Sequence, residues 1–313
     1  MSIANNTAAH PTIPAHDILV CVFQRGAADG LNALVPYFEA DYYDVYRTAI
    51  SVPAPDPLNS DAGIPLTNYY ETDPNGYALH PALAQLKPIY DLRELALVHA
   101  TGVPHGIRSH FSAQNLIERG VVDKIGPDTG WLGRHLALTP PASSSAFRAI
   151  SISGNVPVAL SGAQEPLAID NLNDFGFDQG IIDSGYPEVL ANLFRSPVPF
   201  FGPAEAALAA IEELQLADLS SITPDNGAIY PANSALGNKM MQAAQLIKSN
   251  LPVEVVCVDS DGWDHHENLP LYIDNSLTEL AAALSAFHTD MGAGMARITV
   301  LVYTEFGRRV AQN

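Results

Sequence analysis

Four short apolar runs constrain this 313-residue chain more than anything else in it: ILVCVF at 18–23, LALVHATG at 95–102, VEVVCV at 253–258 and ITVLVY at 298–303. The runs favour β-branched and aliphatic residues and are too short for helices, which marks strands buried on both faces. Between them lie segments with apolar residues at helical spacing, at about 80–95, 203–219, 234–251 and from Ser276 to about Gly292. Ser276 with Glu279 has the Ser-x-x-Glu pattern of a capping box. Strands alternating with helices predict an α/β fold, a mainly parallel sheet flanked by helices on both faces. Residues 18–313 read as a single domain, with the Pro-, Gly- and Ser-rich stretch at about 140–200 as a loop-rich insertion or cap. Residues 1–17 read as a disordered N-terminal segment. The chain stops at Asn313, just past the last strand and without a closing helix, so the expectation is a sheet incomplete at its C-terminus.

Charge narrows the partners. Lys and Arg number 15 against 34 Asp and Glu, a formal net charge of −19. Long-range repulsion of that sign opposes binding to polyanions, so neither nucleic acid nor an anionic membrane is expected as a partner. No run reaches transmembrane length, and no membrane insertion is expected. The acidic surplus suits a protein that collects cations and equally suits plain solubility. Cys21 and Cys257 lie within strand-like apolar runs and read as small buried hydrophobes. The first seventeen residues have neither a basic nor an apolar export region.

The chemistry-bearing residues follow the strands. After VEVVCV come Asp259, Asp261, Asp264, His265, His266 and Glu267, oxygen and nitrogen donors of the kind that bind divalent metals. Open α/β sheets place their chemistry at the C-terminal ends of their strands, where this cluster falls. Asp264 and His266 are two apart, so an extended backbone turns both to one face; Asp261 and His265 are a competing pair. Asp29, in QRGAADGLN after the first strand, is a candidate metal ligand among glycines or an ordinary turn aspartate. Glu305 after the last strand is a further ligand or a strand-end charge. Ser109, with His110 in GIRSHF, is a helix N-cap or a nucleophile, and Arg108 beside it can grip phosphate or sulfate oxygens or form a surface salt bridge. If the sheet is parallel, these loops share one edge. Trp131 and Trp263 read as packing residues, and His99 as a core or supporting histidine.

The segments FQRGAADGLNALVPY, LHPALAQLKPIYDLRELALVHATG, RSHFSAQNLIERG, GWLGR, GWDHHEN and TEFGR run in order along the chain. By them it resembles the DUF1501 family, uncharacterised bacterial proteins placed in the alkaline phosphatase and sulfatase-like superfamily. The resemblance implies an alkaline phosphatase-like fold and a metal-dependent hydrolase of phosphate or sulfate esters acting on a small-molecule or glycan ester. It implies Ser109 as nucleophile, assisted by Arg108, and Asp29, Asp264, His266 and Glu305 as ligands of a divalent metal ion (Zn, Ca, Mg or Mn). In GWDHHEN, His265 stands where the family usually has Thr. Relatives continue past TEFGR to an Asp-His-Gly segment and commonly begin with a twin-arginine export signal. The first point implies a C-terminally truncated copy here, and the second a periplasmic or extracellular home. The alternatives are a non-catalytic exported protein that binds metal or glycan on the same fold, or an inactive truncated copy. Oligomeric state stays open.

Overall fold

The computed structural model describes residues 16–67, 74–104, 106–123, 125–139, 145–172, 209–214, 216–266 and 269–312. Its main sheet has five strands: β1 (Ile18–Gln24), β5 (Ala149–Ile152), β6 (Leu167–Ala168), β7 (Val255–Ser260) and β8 (Ile298–Thr304). They lie in the order β6-β5-β7-β1-β8, and every pairing is parallel. All the C-terminal ends therefore share one edge, and the three strands that carry candidate residues, β7, β1 and β8, are neighbours there.

The central strands are buried on both faces, as their β-branched composition requires. Val20, Val22, Val256 and Val258 face the larger core, filled by α5 (Ala235–Lys248) and α6 (Leu269–Met291). Cys21, Val255 and Cys257 face the opposite layer against Leu132 and Leu136 of α4 (Trp131–Leu138). Helices thus cover both faces. Cys21 and Cys257 are register partners and both are free, buried thiols, as their apolar runs predicted.

Several local expectations are corrected. LALVHATG is not a strand: residues 95–99 have no ladder partner and follow α2 as irregular chain. Its two-residue alternation is real but serves another purpose. Leu95 and Leu97 lean on the core while Val98 is exposed. The helix expected at 80–95 is a tight 3-10 turn, Pro81–Leu86, followed by one short α-helix, α2 (Lys87–Asp91), with Pro88 in its first turn where no amide is missed. FRAISI, assigned to an insertion, instead supplies β5, an interior strand. Residues 140–144 and 173–200 of that stretch, and 203–208 and 215 of the helix expected at 203–219, lie outside the described residues, as do residues 1–15. A three-stranded antiparallel sheet of β2 (Leu34–Pro36), β3 (Ile64–Thr67) and β4 (Pro74–Leu79) was not anticipated; Leu34, Leu66 and Leu79 tie it into the larger core.

The capping-box assignment is also corrected. α6 begins at Leu269, so Ser276 is internal to it. Glu279 caps a different helix: its Oε1 accepts from the Ser234 hydroxyl at 2.5 Å and from the Leu236 amide at 3.2 Å, at the start of α5. Ser234 in turn accepts from the Gly237 amide at 2.7 Å. Glu279→Ala should therefore cost about 1–3 kcal/mol, the loss of a charged acceptor for a helix N-terminus. Denaturant unfolding measures it, and a midpoint equal to wild type would show that the cap is dispensable.

Candidate metal centre

Two stitches hold the loops after β1 and β7 together. The Arg25 amide donates to the Ser260 carbonyl at 2.8 Å, and the Trp263 amide to the Arg25 carbonyl at 3.1 Å. Gly26 sits between them at φ +122°, and a Cβ there would lie 2.4 Å from the Asp264 nitrogen and 2.8 Å from the Trp263 carbonyl carbon. Only glycine permits that approach. Trp263 anchors the second loop from below: its ring is buried and its indole N–H donates to Ser260 Oγ at 2.9 Å. It is a packing residue, as its sequence setting indicated.

The third contributor is α3 (His110–Arg119), which lies across the strand tips. His110, Gln114 and Glu118 stand four apart and share one helical face. Glu118 Oε1 accepts from Arg25 Nη2 at 2.8 Å, and Asp259 Oδ1 from Arg25 Nε at 2.9 Å. The Arg25 guanidinium also lies over the Phe23 ring, 4.1 Å from its centroid. Burial pushes the Glu118 carboxyl up in pKa despite that partner. One arginine thereby fixes α3 to β1 and β7.

Glu305, the residue after β8, is fully buried and is the hub of the site. It accepts from the Gly26 amide at 3.0 Å and from Gln114 Nε2 at 3.1 Å, and its Oε1 is 2.8 Å from His110 Nδ1. Burial disfavours its ionised form, but the hydrogen bonds from His110, the backbone and Gln114 outweigh burial and lower its pKa. An ionised Glu305 requires a proton on His110 Nδ1, which fixes the tautomer of a neutral ring. Nε2 points toward the loop after β7.

There it meets Asp264 and His266. His110 Nε2 is 3.4 Å from Asp264 Oδ1, and His266 Nε2 is 2.8 Å from the same oxygen. One donor atom from each of the three lies within 4.8 Å of the others. Asp264 and His266 do face the same way, through a different backbone from the extended one expected. The amides of His265 and His266 donate to the carbonyls two residues back, at 2.8 and 3.0 Å, which makes consecutive tight turns. Arg308 spans the rim, donating to Asp264 Oδ1 and to the His265 carbonyl, both at 2.9 Å.

The other candidates fall elsewhere. Asp29 is buried in an ion pair with Arg47, and its second oxygen accepts from the Leu31 amide at 3.2 Å, capping the short helix α1 (Gly30–Ala33). It lies near enough to His80 and His265 to favour their charged forms, but is not among the three converging donors. Ser109 is exposed and caps α3, accepting from the Ser112 amide at 3.4 Å; Arg108 is exposed beside it. Asp261 pairs loosely with Lys239 at 3.9 Å, whereas His265 lies against Ser276 and Tyr272, so this competing pair diverges. Burial, and then Arg308, lower the His265 pKa. Glu267 and His105 lie outside the described residues. His99 is largely exposed, edge-on to Tyr77, and is neither core nor part of the cluster.

Sequence inspection missed Arg25, Gln114, Gly26 and Arg308, and noted His110 only as a loop neighbour. The signal for Gln114 was present as the His110, Gln114, Glu118 stripe, three polar groups along one face of a helix.

Fold and site define a parallel α/β protein with a His-Asp-His donor cluster at the C-terminal edge of its sheet. The chain belongs to the DUF1501 family, described as a protein of unknown function, whose pattern matches residues 95–313. No curated protein and no solved structure matches it. Among the described residues no helix is long and apolar enough to cross a membrane.

Proposed function

We propose that the protein is a metal-dependent hydrolase of phosphate or sulfate esters on an alkaline phosphatase-like sheet. His110, Asp264 and His266 would hold the divalent ion, and Glu305 would support it. The observation that carries this reading is His110 itself. With Nδ1 held by Glu305, its Nε2 faces the Asp264 carboxylate, and a cation between the two would take a ligand from each. A ligating histidine whose other nitrogen donates to a buried carboxylate is the usual arrangement in metal sites. Two imidazoles and one carboxylate suit Zn or Mn better than Ca or Mg, which prefer all-oxygen shells. This departs from the ligand set implied by resemblance: Asp264 and His266 stay, Glu305 moves behind His110, and Asp29 serves as partner of Arg47.

A divalent ion bound there would polarise the ester oxygen and offset the charge of the transition state. Ser109 Oγ precedes His110 at the N-terminus of α3, where the exposed helix end favours an anionic group. In the proposed reaction this oxygen forms a bond to phosphorus or sulfur as the bond to the leaving alcohol breaks. The serine proton goes to the departing alkoxide, and water then cleaves the serine ester. Arg108, beside Ser109, would contact a non-bridging oxygen.

A second reading has its own support. Ser109 already serves as a helix cap, and Asp29 is committed to Arg47, which fits an exported protein that binds metal or glycan without turnover. Ser109→Ala separates the two. Under the hydrolase reading, release of phosphate or sulfate from aryl esters by metal-loaded protein falls at least about 1,000-fold while metal affinity stays within about threefold. Wild-type protein that binds metal and cleaves neither ester establishes the binding reading.

A further inference from the structure

An open pocket of about 510 Å³ adjoins the cluster. One wall is the loop that carries Asp264, His265 and His266; the other is the beginning of α6, through Tyr272, Asn275 and Ser276. Those three helix residues stand at i, i+3 and i+4 and so present a single face. Tyr272 is half exposed, and its ring lies nearly parallel to the His265 ring, at 18° and 5.9 Å between centroids. Ser276 is 3.4 Å from His265 Nε2, which holds the imidazole behind the tyrosine. Among the described residues no Lys or Arg lines the pocket itself, and Arg308 at the rim is engaged by Asp264 and the His265 carbonyl. The lining combines a flat aromatic ring with the polar side chains of Asn275 and Ser276.

We infer that this pocket binds a neutral sugar ring, stacked on Tyr272 with its hydroxyls toward Asn275 and Ser276. The alternation of an apolar ring face with polar edges in a sugar matches that lining, since tyrosine gives a broad apolar face with a polar tip and Asn and Ser each donate and accept hydrogen bonds. The sugar's role as the alcohol part of the ester rests on the hydrolase reading; its binding does not.

Binding is measured by saturation-transfer NMR on the whole chain with methyl glucoside, methyl galactoside and methyl N-acetylglucosaminide, with phenol as the aryl probe. None of these has an ester bond. The expected result is binding of at least one glycoside, weakened about tenfold in Tyr272→Ala and kept within about threefold in Tyr272→Phe, since stacking contributes about that much. No glycoside binding, phenol binding alone, or equal glycoside binding by wild type and Tyr272→Ala would each overturn the inference. Failure of metal-loaded protein to release phosphate or sulfate while glycoside binding persists would count against the hydrolase reading alone.

Discussion

Gly26→Ala is expected to dismantle the proposed metal centre. The added methyl would sit 2.4 Å from the Asp264 nitrogen and 2.8 Å from the Trp263 carbonyl carbon, and both are backbone atoms, not side-chain ends that can swing aside. The residue also holds φ +122°, a conformation that L residues rarely adopt, so strain persists even if the loops separate. Separation breaks the Trp263-to-Arg25 amide bond and moves the Gly26 amide off Glu305. Overpacking and backbone strain together should cost about 3–5 kcal/mol. Metal affinity should fall by at least about 100-fold, because a ligand displaced by an ångström no longer completes the set. Gly30→Ala is the control, since nothing lies within 4 Å of its Cβ position. Thermal unfolding and calorimetric titration with Zn and Mn on both variants decide the matter; a Gly26→Ala protein that binds metal like wild type would show that the loops adjust freely.

With His110, Asp264 and His266 as the proposed ligands, Glu305→Gln should lower metal affinity by about 10–100-fold through its effect on His110. The amide keeps the shape of the carboxylate but not its charge, so it accepts less strongly from His110 and no longer compels the proton onto Nδ1. Stability should drop by about 1–3 kcal/mol, because the Gly26 amide, Gln114 and His110 lose a charged, buried acceptor. The effect has a definite sign with pH. The folded-state pKa of Glu305 is lowered, so its stabilisation is fully present above the ordinary glutamate value and is lost as pH falls through the lowered one. The gap in unfolding free energy between wild type and Glu305→Gln should therefore close on acidification from neutral to below the glutamate range. A gap that stays constant over that span would mean that the charge of Glu305 contributes nothing to the fold.

Much of this site was legible before any coordinates. Asp264, His266 and Glu305 were picked out because acidic and imidazole groups directly follow buried strands, and a parallel sheet must bring such tips to one edge. Ser109 was recognised as a helix start from its own residue type. The roles were less legible than the places. Glu305 was assigned as a ligand because a carboxylate after a strand looks the same whether it meets an ion or a histidine. Asp29 was assigned on equal grounds, and nothing local indicated Arg47, eighteen residues on, as its partner. Ser276 and Glu279 matched a capping box, but the helix extends two turns before them, so one carboxylate caps a neighbouring helix and the serine lines a pocket.

What the sequence determined by itself was the set of short-range consequences: that three of its apolar runs are strands, that the sheet is mainly parallel, and where the polar loops emerge. Those follow from hydrophobic periodicity and chain geometry, which act over a few residues at a time. The exception, LALVHATG, shows the limit, since a run of strand-like composition forms a strand only where the fold brings a ladder partner to it. The tertiary structure alone decided which polar group faces which. The pairings of Glu305 with His110, Arg47 with Asp29 and Arg25 with Glu118 join residues that are distant in the chain or on different elements, and electrostatic partners are chosen by proximity in the folded state rather than by spacing along the backbone.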